Sequence, residues 1–380
     1  MKKDYRIIIS GGGTGGHIFP ALSIADAIKS KHPEAKILFV GADNRMEMQR
    51  VPEAGYDIIG LPIAGFDRKN LLKNIKVLWL IIKSQLKARK IIKDFAPQVA
   101  VGVGGYASGP TLKMAASMNI PTLIQEQNSY AGVTNKILSK KAKMICVAYD
   151  GMERFFPNEK IIFTGNPVRK SLIEMQSNRS EARKAMGLDE NKKCVLIVGG
   201  SLGARSINEA ILANIELITK HEEIEFVWQT GKLYFEEMQK RVKEAGSPKN
   251  LIVTDFVSNM ANALSAADLV VSRAGAGSIS EFALLGKAVI LVPSPNVSED
   301  HQTKNAMALV EKNAAIYIAD ANAKEELVEK AIATVNNSEK IAMLEKNVVV
   351  LGKPNAAEVI AEKVMALADD FIEKEIRRKK

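Results

Sequence analysis

Thiols are scarce in this chain. Its 380 residues include two cysteines, Cys146 and Cys194, and both lie in apolar, strand-like runs. A disulfide framework is excluded, and buried thiols in a reducing compartment are expected. Aromatic residues make up only 6% of the sequence, and no interleaving of rings and bases marks a stacking platform for nucleic acid. No uninterrupted apolar run approaches the roughly 18 residues that span a bilayer. The apolar run after Met1-Lys2-Lys3-Asp4-Tyr5-Arg6 is too short for a signal-peptide core. The chain therefore reads as cytoplasmic. Acidic residues are in deficit, 43 against 53 Lys and Arg, for a formal net charge of +10. Such a balance attracts nucleic acid, an anionic membrane surface or an anionic substrate, or simply solvates the surface. Cys/His clusters with zinc spacing and a Walker loop are also missing, so neither a metal nor a cofactor is expected.

What is present is alternation. Apolar runs at Arg6–Ser10, Lys36–Gly41, Val99–Val103, Thr122–Gln125 and Met144–Ala148 read as buried parallel strands separated by helices. The pattern restarts at Cys194–Val198 and continues with Glu225–Gln229, Leu251–Thr254, Leu269–Ser272, Ala288–Val292 and Ala315–Ile318. This predicts an α/β protein of two doubly wound domains, as the length also suggests. Gly, Asn and Pro cluster in Thr164-Gly165-Asn166-Pro167-Val168-Arg169 and break the chain there. Gly352-Lys353-Pro354 breaks it again. The expected division is 1–165, 166–352 and a C-terminal helix over 353–380.

The strand ends carry the chemistry. Ile8-Ile9-Ser10-Gly11-Gly12-Gly13-Thr14-Gly15-Gly16-His17 runs from a strand through a glycine loop into a helix. Glycines let backbone approach an anion closely, and a helix N-terminus favours that anion. His17 adds a group that exchanges protons near neutral pH. Gly11, Gly13 and Gly16 formally fit the dinucleotide fingerprint, but the acid it requires is not in place; Asp43 comes late. A second loop of the same design is Gly199-Gly200-Ser201-Leu202-Gly203-Ala204. It formally fits a nucleophile elbow, with His221 or His301 as the only later histidines, yet a phosphate cradle explains it more simply. Gly104-Gly105-Tyr106 forms a third loop, and Gln125-Glu126-Gln127-Asn128 follows another strand end. In the second half, Ser272-Arg273-Ala274-Gly275-Ala276-Gly277 precedes Glu281, expected in the first turn of its helix. A carboxylate there can accept bonds from vicinal ribose hydroxyls, as acids do in nucleotide sites, or merely complement the helix dipole. Pro293-Ser294-Pro295 and Glu299 to Asn305 form a polar strand-end loop suited to sugar recognition.

Between Phe66 and Lys93, Ile75, Leu78, Trp79, Ile82 and Leu86 recur at helical spacing. Lys69, Lys73, Lys76, Lys83, Lys87 and Lys90 mark another stripe. A basic amphipathic helix with Trp reads as lying on an anionic interface; the same pattern also fits any helix packed on a sheet.

Taken together, Gly11 to His17, Gly104-Gly105-Tyr106, Glu126-Gln127-Asn128, Thr164 to Arg169, Gly199-Gly200-Ser201, Arg273 to Ala276 and His301-Gln302 resemble, in order, the motif set of the MurG family of peripheral-membrane N-acetylglucosaminyltransferases. The resemblance covers nearly the whole chain. It implies GT-B architecture, two Rossmann-like domains facing across a cleft, and inverting transfer of N-acetylglucosamine from UDP-N-acetylglucosamine to the muramyl 4-hydroxyl of lipid I, forming lipid II without a bound metal. It further implies that the second domain holds UDP and the first the lipid-linked acceptor. On it, Glu281 takes the ribose hydroxyls, Phe256 and Val257 line the uracil pocket, Ser201 and Arg169 contact the diphosphate, and Gln302 contacts the sugar. Thr14, Gly15, Gly16, Asn128 and Ala276 complete the donor and acceptor sides. The implied partners are UDP-N-acetylglucosamine, lipid I and the cytoplasmic face of the membrane through Leu71–Lys93, and not nucleic acid. The attacking hydroxyl needs a base, for which His17 and Glu126 are the candidates. The family often has His where Gln125 stands, which weakens a proton relay through that position.

Overall fold

The structure is a computed structural model, and it describes residues 4–65, 73–169, 172, 178–200 and 202–379. The chain clusters into two compact units, Met1–Arg169 with Lys353–Lys380, and Lys170–Gly352.

In the first unit the described strands are β1 (Arg6–Ser10), β2 (Lys36–Ala42), β3 (Asp57–Leu61), β4 (Val99–Gly102), β5 (Thr122–Glu126), β6 (Met144–Val147) and β7 (Ile161–Phe163). They form one sheet in the order β3-β2-β1-β4-β5-β6-β7, parallel at each pairing. Its central strands are covered on both faces; Ile7, Ile8 and Ile9 are wholly buried. That is why they read as continuous apolar runs without alternation. Two strands lie beyond the sequence expectation. β3 carries Asp57 and Gly60, and β7 has only three residues, Ile161, Ile162 and Phe163, so neither shows a long apolar signal.

The second unit repeats the plan. Strands β8 (Lys193–Val198), β9 (Ile224–Gln229), β10 (Leu251–Thr254), β11 (Leu269–Ser272), β12 (Val289–Leu291) and β13 (Ile316–Tyr317) order as β10-β9-β8-β11-β12-β13. At its core Trp228 is fully buried, and its indole N–H donates to Asn208 Oδ1 at 3.0 Å. Asn208 in turn donates to the Thr230 carbonyl at 2.9 Å, so the buried polar atoms are paired rather than stranded.

The C-terminal helix, Ala356–Lys379, packs on the helix Gly15–Lys31 of the first unit. Ile360, Ala361, Val364 and Ala368 join Ile24 and Ile28 in one apolar cluster. Tyr5 Oη donates to Asp369 at 2.8 Å, and Lys31 pairs with Glu362 at 2.7 Å. Such a helix is held by its buried stripe, at about 1.5–3 kcal/mol per large apolar side chain. The two thiols lie on β6 and β8, in different units, and burial pushes each up to about 12. Both are therefore unreactive core residues.

In both sheets the strand order reverses beside the first strand, between β1 and β4 and between β8 and β11. Ligands of doubly wound sheets bind beyond the carboxyl ends of the strands at such a point. All the glycine loops read from the sequence lie there.

Candidate active site

In the first unit, β1 ends at Ser10 and the helix starts at Gly15, with Thr14 as its N-cap. The Thr14 hydroxyl makes no cap bond. The helices starting at Arg205 and Ala276, after the loops of β8 and β11, likewise have no side-chain cap. Asn178, Asn259 and Asn337 cap their helices, while those starting at Glu47, Ser108, Val133, Ile215, Phe235, His301 and Ala323 also lack a side-chain cap. Helix ends without a cap side chain at the two switch points suit an anionic ligand that brings its own acceptors.

The loops of β1 and β4 touch backbone to backbone. Gly105 has φ +82°, and a Cβ there would lie 2.4 Å from the Gly12 carbonyl oxygen. A Cβ on Gly104, φ +95°, would lie 2.8 Å from His17 Nε2. Glycine is thus required by both conformation and space. His17 is half-buried and its Nδ1 lies 3.0 Å from the Gly12 carbonyl and 3.3 Å from Thr14 Oγ1. A carbonyl only accepts, so Nδ1 carries the proton in that bond.

Beneath the β1 loop lies a residue that the sequence did not single out. Glu47 is buried, and its carboxylate accepts the Gly13 N–H at 2.8 Å and the Ala42 N–H at 3.0 Å. Its oxygen fills the space where a Gly12 Cβ would go. Asp43, the nearest acid by fingerprint spacing, instead packs against Gly60 on β3. The available signal for Glu47 was a polar stretch after a strand end, without any motif spacing.

Glu126 ends β5 and is buried. Its carboxylate accepts bonds from the Asn128 N–H, Asn128 Nδ2, the Gly132 N–H and Asn135 Nδ2, at 3.1, 3.2, 3.0 and 2.9 Å. Four donors fold the loop around it, and Asn128 is one of them. Gln125 is fully buried and donates to Asn166 Oδ1 at 3.0 Å, while its own oxygen accepts from Gln127. Asn166 donates back to the Gln127 carbonyl at 3.0 Å. The Thr164–Arg169 segment is therefore fastened to the β5 loop. Arg169 is exposed, and its guanidinium stacks 4.7 Å from the ring of Phe19, one turn into the helix that begins at Gly15.

In the second unit, Gly203 has φ +79° and a Cβ there would meet the Thr230 carbonyl oxygen at 2.0 Å. The loops of β8 and β9 thus close on each other as those of β1 and β4 do. Ser201 lies outside the described residues. Gln229, at the end of β9, was also missed by sequence reasoning. It is buried, donates to the Gly200 carbonyl at 2.8 Å and accepts the Val257 N–H at 3.2 Å. It therefore sets the β8 loop against Phe256 and Val257. The Phe256 ring is 46% exposed and Lys232 Nζ lies 6.0 Å from its centroid, leaving an apolar platform open to a planar group.

Arg273 follows β11. Its guanidinium pairs with Asp320 and donates to Ser206 Oγ at 2.9 Å and to the carbonyls of Val292 and Pro293 at 2.9 and 3.2 Å. It locks four strand-end segments together. Ala276 is buried as the first residue of the helix Ala276–Leu284. Glu281 is its sixth residue, in the second turn, which corrects the sequence expectation of the first. Because Gly275 already has the extended cap conformation, the helix begins earlier than its polar pattern implies. A dipole role falls off beyond the first turn. Gln302 accepts the Ser294 N–H at 2.9 Å, and Asn305 donates to the Ala274 carbonyl at 3.4 Å, tying the β12 loop to that of β11. Glu299 and Asp300, at φ +56° and +51°, turn that loop. Two successive non-glycine residues at positive φ are strained, a feature of ligand-binding segments. His221 pairs with Glu223 at 2.8 Å before β9, at the opposite sheet end from the Gly199–Ala204 loop, which removes it from any nucleophile elbow.

The helix Lys73–Phe95 has two apolar faces. Val77, Ala88, Ile91 and Ile92 are buried. Leu78, Trp79, Ile82 and Leu86 are 54–66% exposed, and Lys83 Nζ sits 5.1 Å from the Trp79 ring centroid. The tryptophan stripe is thus not the packing face. Leu71 and the side chains of Lys69, Lys73, Ile75 and Lys76 lie outside the described residues. Among the described residues no helix is long and apolar enough to cross a membrane.

Residues 7–147 match the glycosyltransferase family 28 N-terminal domain, and residues 194–363 its C-terminal domain. The UDP-N-acetylglucosamine--N-acetylmuramyl-(pentapeptide) pyrophosphoryl-undecaprenol N-acetylglucosamine transferase of Phocaeicola vulgatus is 66% identical, over 98% of both chains. The enzyme of that name from Parabacteroides distasonis is 55% identical, over 97% of this chain and 100% of its own. The crystal structure of Acinetobacter baumannii MurG superposes with a TM-score of 0.76 at 28% identity, covering 95% of this chain and 99% of that one. A UDP-GlcNAc 2-epimerase from Neisseria meningitidis, at 16% identity and TM-score 0.68 over 95% of this chain and all of its own, shares the fold alone. With two parallel-sheet α/β units, paired glycine loops and full-length relatives of one kind, this chain has the GT-B fold and belongs to glycosyltransferase family 28.

Proposed function

We propose that this protein transfers N-acetylglucosamine from UDP-N-acetylglucosamine to the muramyl 4-hydroxyl of a lipid-linked pyrophosphoryl-MurNAc-pentapeptide. The observation that carries this reading is the 66% identity, over nearly all of the chain, to a transferase named for that reaction. In the second unit, Phe256 and Val257 would seat the uracil, Glu281 the ribose hydroxyls and Gln302 the sugar. The β8 and β11 loops, with Ser201, would face the diphosphate. In the first unit, Thr14, Gly15, Gly16 and Asn128 would border the acceptor.

Displacement at the anomeric carbon moves three things. The acceptor oxygen forms the new glycosidic bond, its proton passes to a base, and the bond to UDP breaks with the electron pair leaving on the diphosphate. Helix N-termini of the second unit stabilise that charge. Of the two candidates, His17 is the base in this reading. With Nδ1 donating to a carbonyl, Nε2 holds the lone pair. Glu126 would have to release four hydrogen bonds to act, so it orders the Asn128 loop instead. The exposed Leu78, Trp79, Ile82 and Leu86, with the lysines beside them, support peripheral docking on an anionic cytoplasmic membrane face.

The test is transfer of labelled N-acetylglucosamine to a short-chain lipid I analogue with EDTA present. Product formation supports the reaction, the acceptor and independence from a metal. Absence of product while UDP-N-acetylglucosamine still binds would overturn the acceptor assignment and turn the search to epimerisation at the sugar.

A further inference from the structure

We propose that Glu47 is a positioning residue for His17, acting through the one peptide group that joins Gly12 to Gly13. This rests on the reading of His17 as the base. The Gly13 N–H donates to Glu47 Oε2 at 2.8 Å. The carbonyl of the same peptide, that of Gly12, accepts from His17 Nδ1 at 3.0 Å. A buried carboxylate and an imidazole thus lie on opposite ends of one amide dipole. Negative charge at the N–H end drives electron density to the oxygen end and strengthens the bond that the imidazole donates.

Three consequences follow from this chain of bonds. It fixes the tautomer with the proton on Nδ1, so that Nε2, beside Gly104, is the basic nitrogen. It holds the ring's orientation, because the acceptor is part of a loop that Glu47 clamps from beneath. It stabilises the imidazolium that forms when Nε2 takes a proton, as a carboxylate does for a catalytic histidine by direct contact. Here the contact is made through backbone. The glycines at 12 and 13 are what permit it: Gly12 at φ +149° would drive any Cβ to 2.1 Å from Glu47 Oε1, and Gly13 lies at φ +88°. Glu47 is also anchored on its other side by the Ala42 N–H at 3.0 Å, so its carboxylate cannot swing away without breaking both bonds. Arg169 lies over the Phe19 ring, two residues along the helix from His17, and Gln127, on the far side of Gly104, is neutral.

The test is nitrogen NMR of the full-length protein labelled at histidine, together with kinetics. In the wild-type protein the neutral His17 ring is expected to carry its proton on Nδ1; a ring protonated on Nε2 would overturn the proposal without any variant. Glu47→Gln removes the charge and offers an N–H where an acceptor stood. It is expected to lower the His17 pKa by about one unit and kcat by about tenfold, a fold-change of the size a hydrogen bond to a charged group supplies, with KM for UDP-N-acetylglucosamine unchanged. A folded Glu47→Gln protein with the wild-type histidine titration and kcat also overturns it. Full turnover in His17→Ala would instead sink the base assignment, which leaves the tautomer result to be read independently.

Discussion

The two units share one topology but hold their loops with opposite electrostatics. In the first unit buried acidic side chains stand behind the glycine loops: Glu47 under the Gly12–Gly13 peptide and Glu126 within the Asn128 loop. In the second unit the corresponding clamps are a neutral amide, Gln229, and an arginine, Arg273, whose cation is balanced by Asp320. The difference matches the proposed division of labour. A carboxylate behind a loop favours a histidine that must become positive. The same charge behind the β8 loop would repel a diphosphate. On that proposal, one topology serves a proton acceptor in the first unit and an anion in the second.

The largest effects are expected from the glycines that let paired loops touch. Gly105→Ala and Gly203→Ala each force a Cβ into a carbonyl at positive φ, at a cost on the order of 2–4 kcal/mol. Gly105→Ala should abolish turnover with UDP still bound, whereas Gly203→Ala should abolish UDP binding. Calorimetric titration with UDP separates them, and loss of UDP binding in both would erase the distinction between the units.

Next comes a crossed pair. His17→Ala should lower kcat by roughly 10²–10³-fold at unchanged donor affinity. Glu281→Ala should weaken donor binding by about 100-fold, as loss of two charge-assisted bonds implies. A loss confined to donor affinity in His17→Ala would reassign that residue to binding, and unchanged donor affinity in Glu281→Ala would end the ribose assignment.

The units also differ in what they bury. Lys287 of the second unit is buried with Nζ 3.1 Å from the Ala267 carbonyl, and burial, aided by Arg179, pulls its pKa down to about 8. In the unfolded chain a lysine titrates near 10.4. Between those values the unfolded state binds more protons, so this group's contribution to stability rises with pH from about 8 to 10.4 and its penalty is fully present below 8. The gain is on the order of 2–3 kcal/mol. Denaturant unfolding of wild type against Lys287→Met across that window should show the rise in wild type and its loss in the variant.

Gln229→Glu imports the first unit's electrostatics into the second. It should weaken UDP binding by about tenfold, in line with one added charge near a partly exposed anion site, and less so at high salt. Equal affinity would mean that the clamp's charge is irrelevant. The smallest effect is expected at the surface. Replacing Leu86, the most exposed of the four apolar side chains, by Ser should reduce binding to anionic vesicles severalfold while leaving thermal unfolding nearly unchanged.

Much of this was legible locally. The strands β1, β10 and β11 were read to the residue because an apolar run bounded by glycine or polar residues is a property of adjacent positions. β3 and β7 were not, since a short strand interrupted by Asp and Gly, or one of three residues, gains its identity only from the neighbour it pairs with. The glycine loops, His17, Glu126 and Arg273 could be found because strand, loop and helix follow one another in sequence. Their surroundings were less visible: the four donors that converge on the Glu126 carboxylate come from Asn128, Gly132 and Asn135, and Glu281 reads one turn too early.

The sequence by itself determined the two alternating halves, the glycine loops at their strand ends and the basic apolar helix, because each is written in residues that are neighbours in the chain. Tertiary structure alone decided that Glu47 reaches Gly13 across 34 residues and that Gln229 joins Gly200 to Val257. It also decided that the last helix belongs to the first unit, and that Trp79 faces outward while Val77 faces in. Each of these depends on which strand lies beside which and which helix face meets the sheet. Apolar patterning is satisfied by several such arrangements, and only packing the whole core selects one.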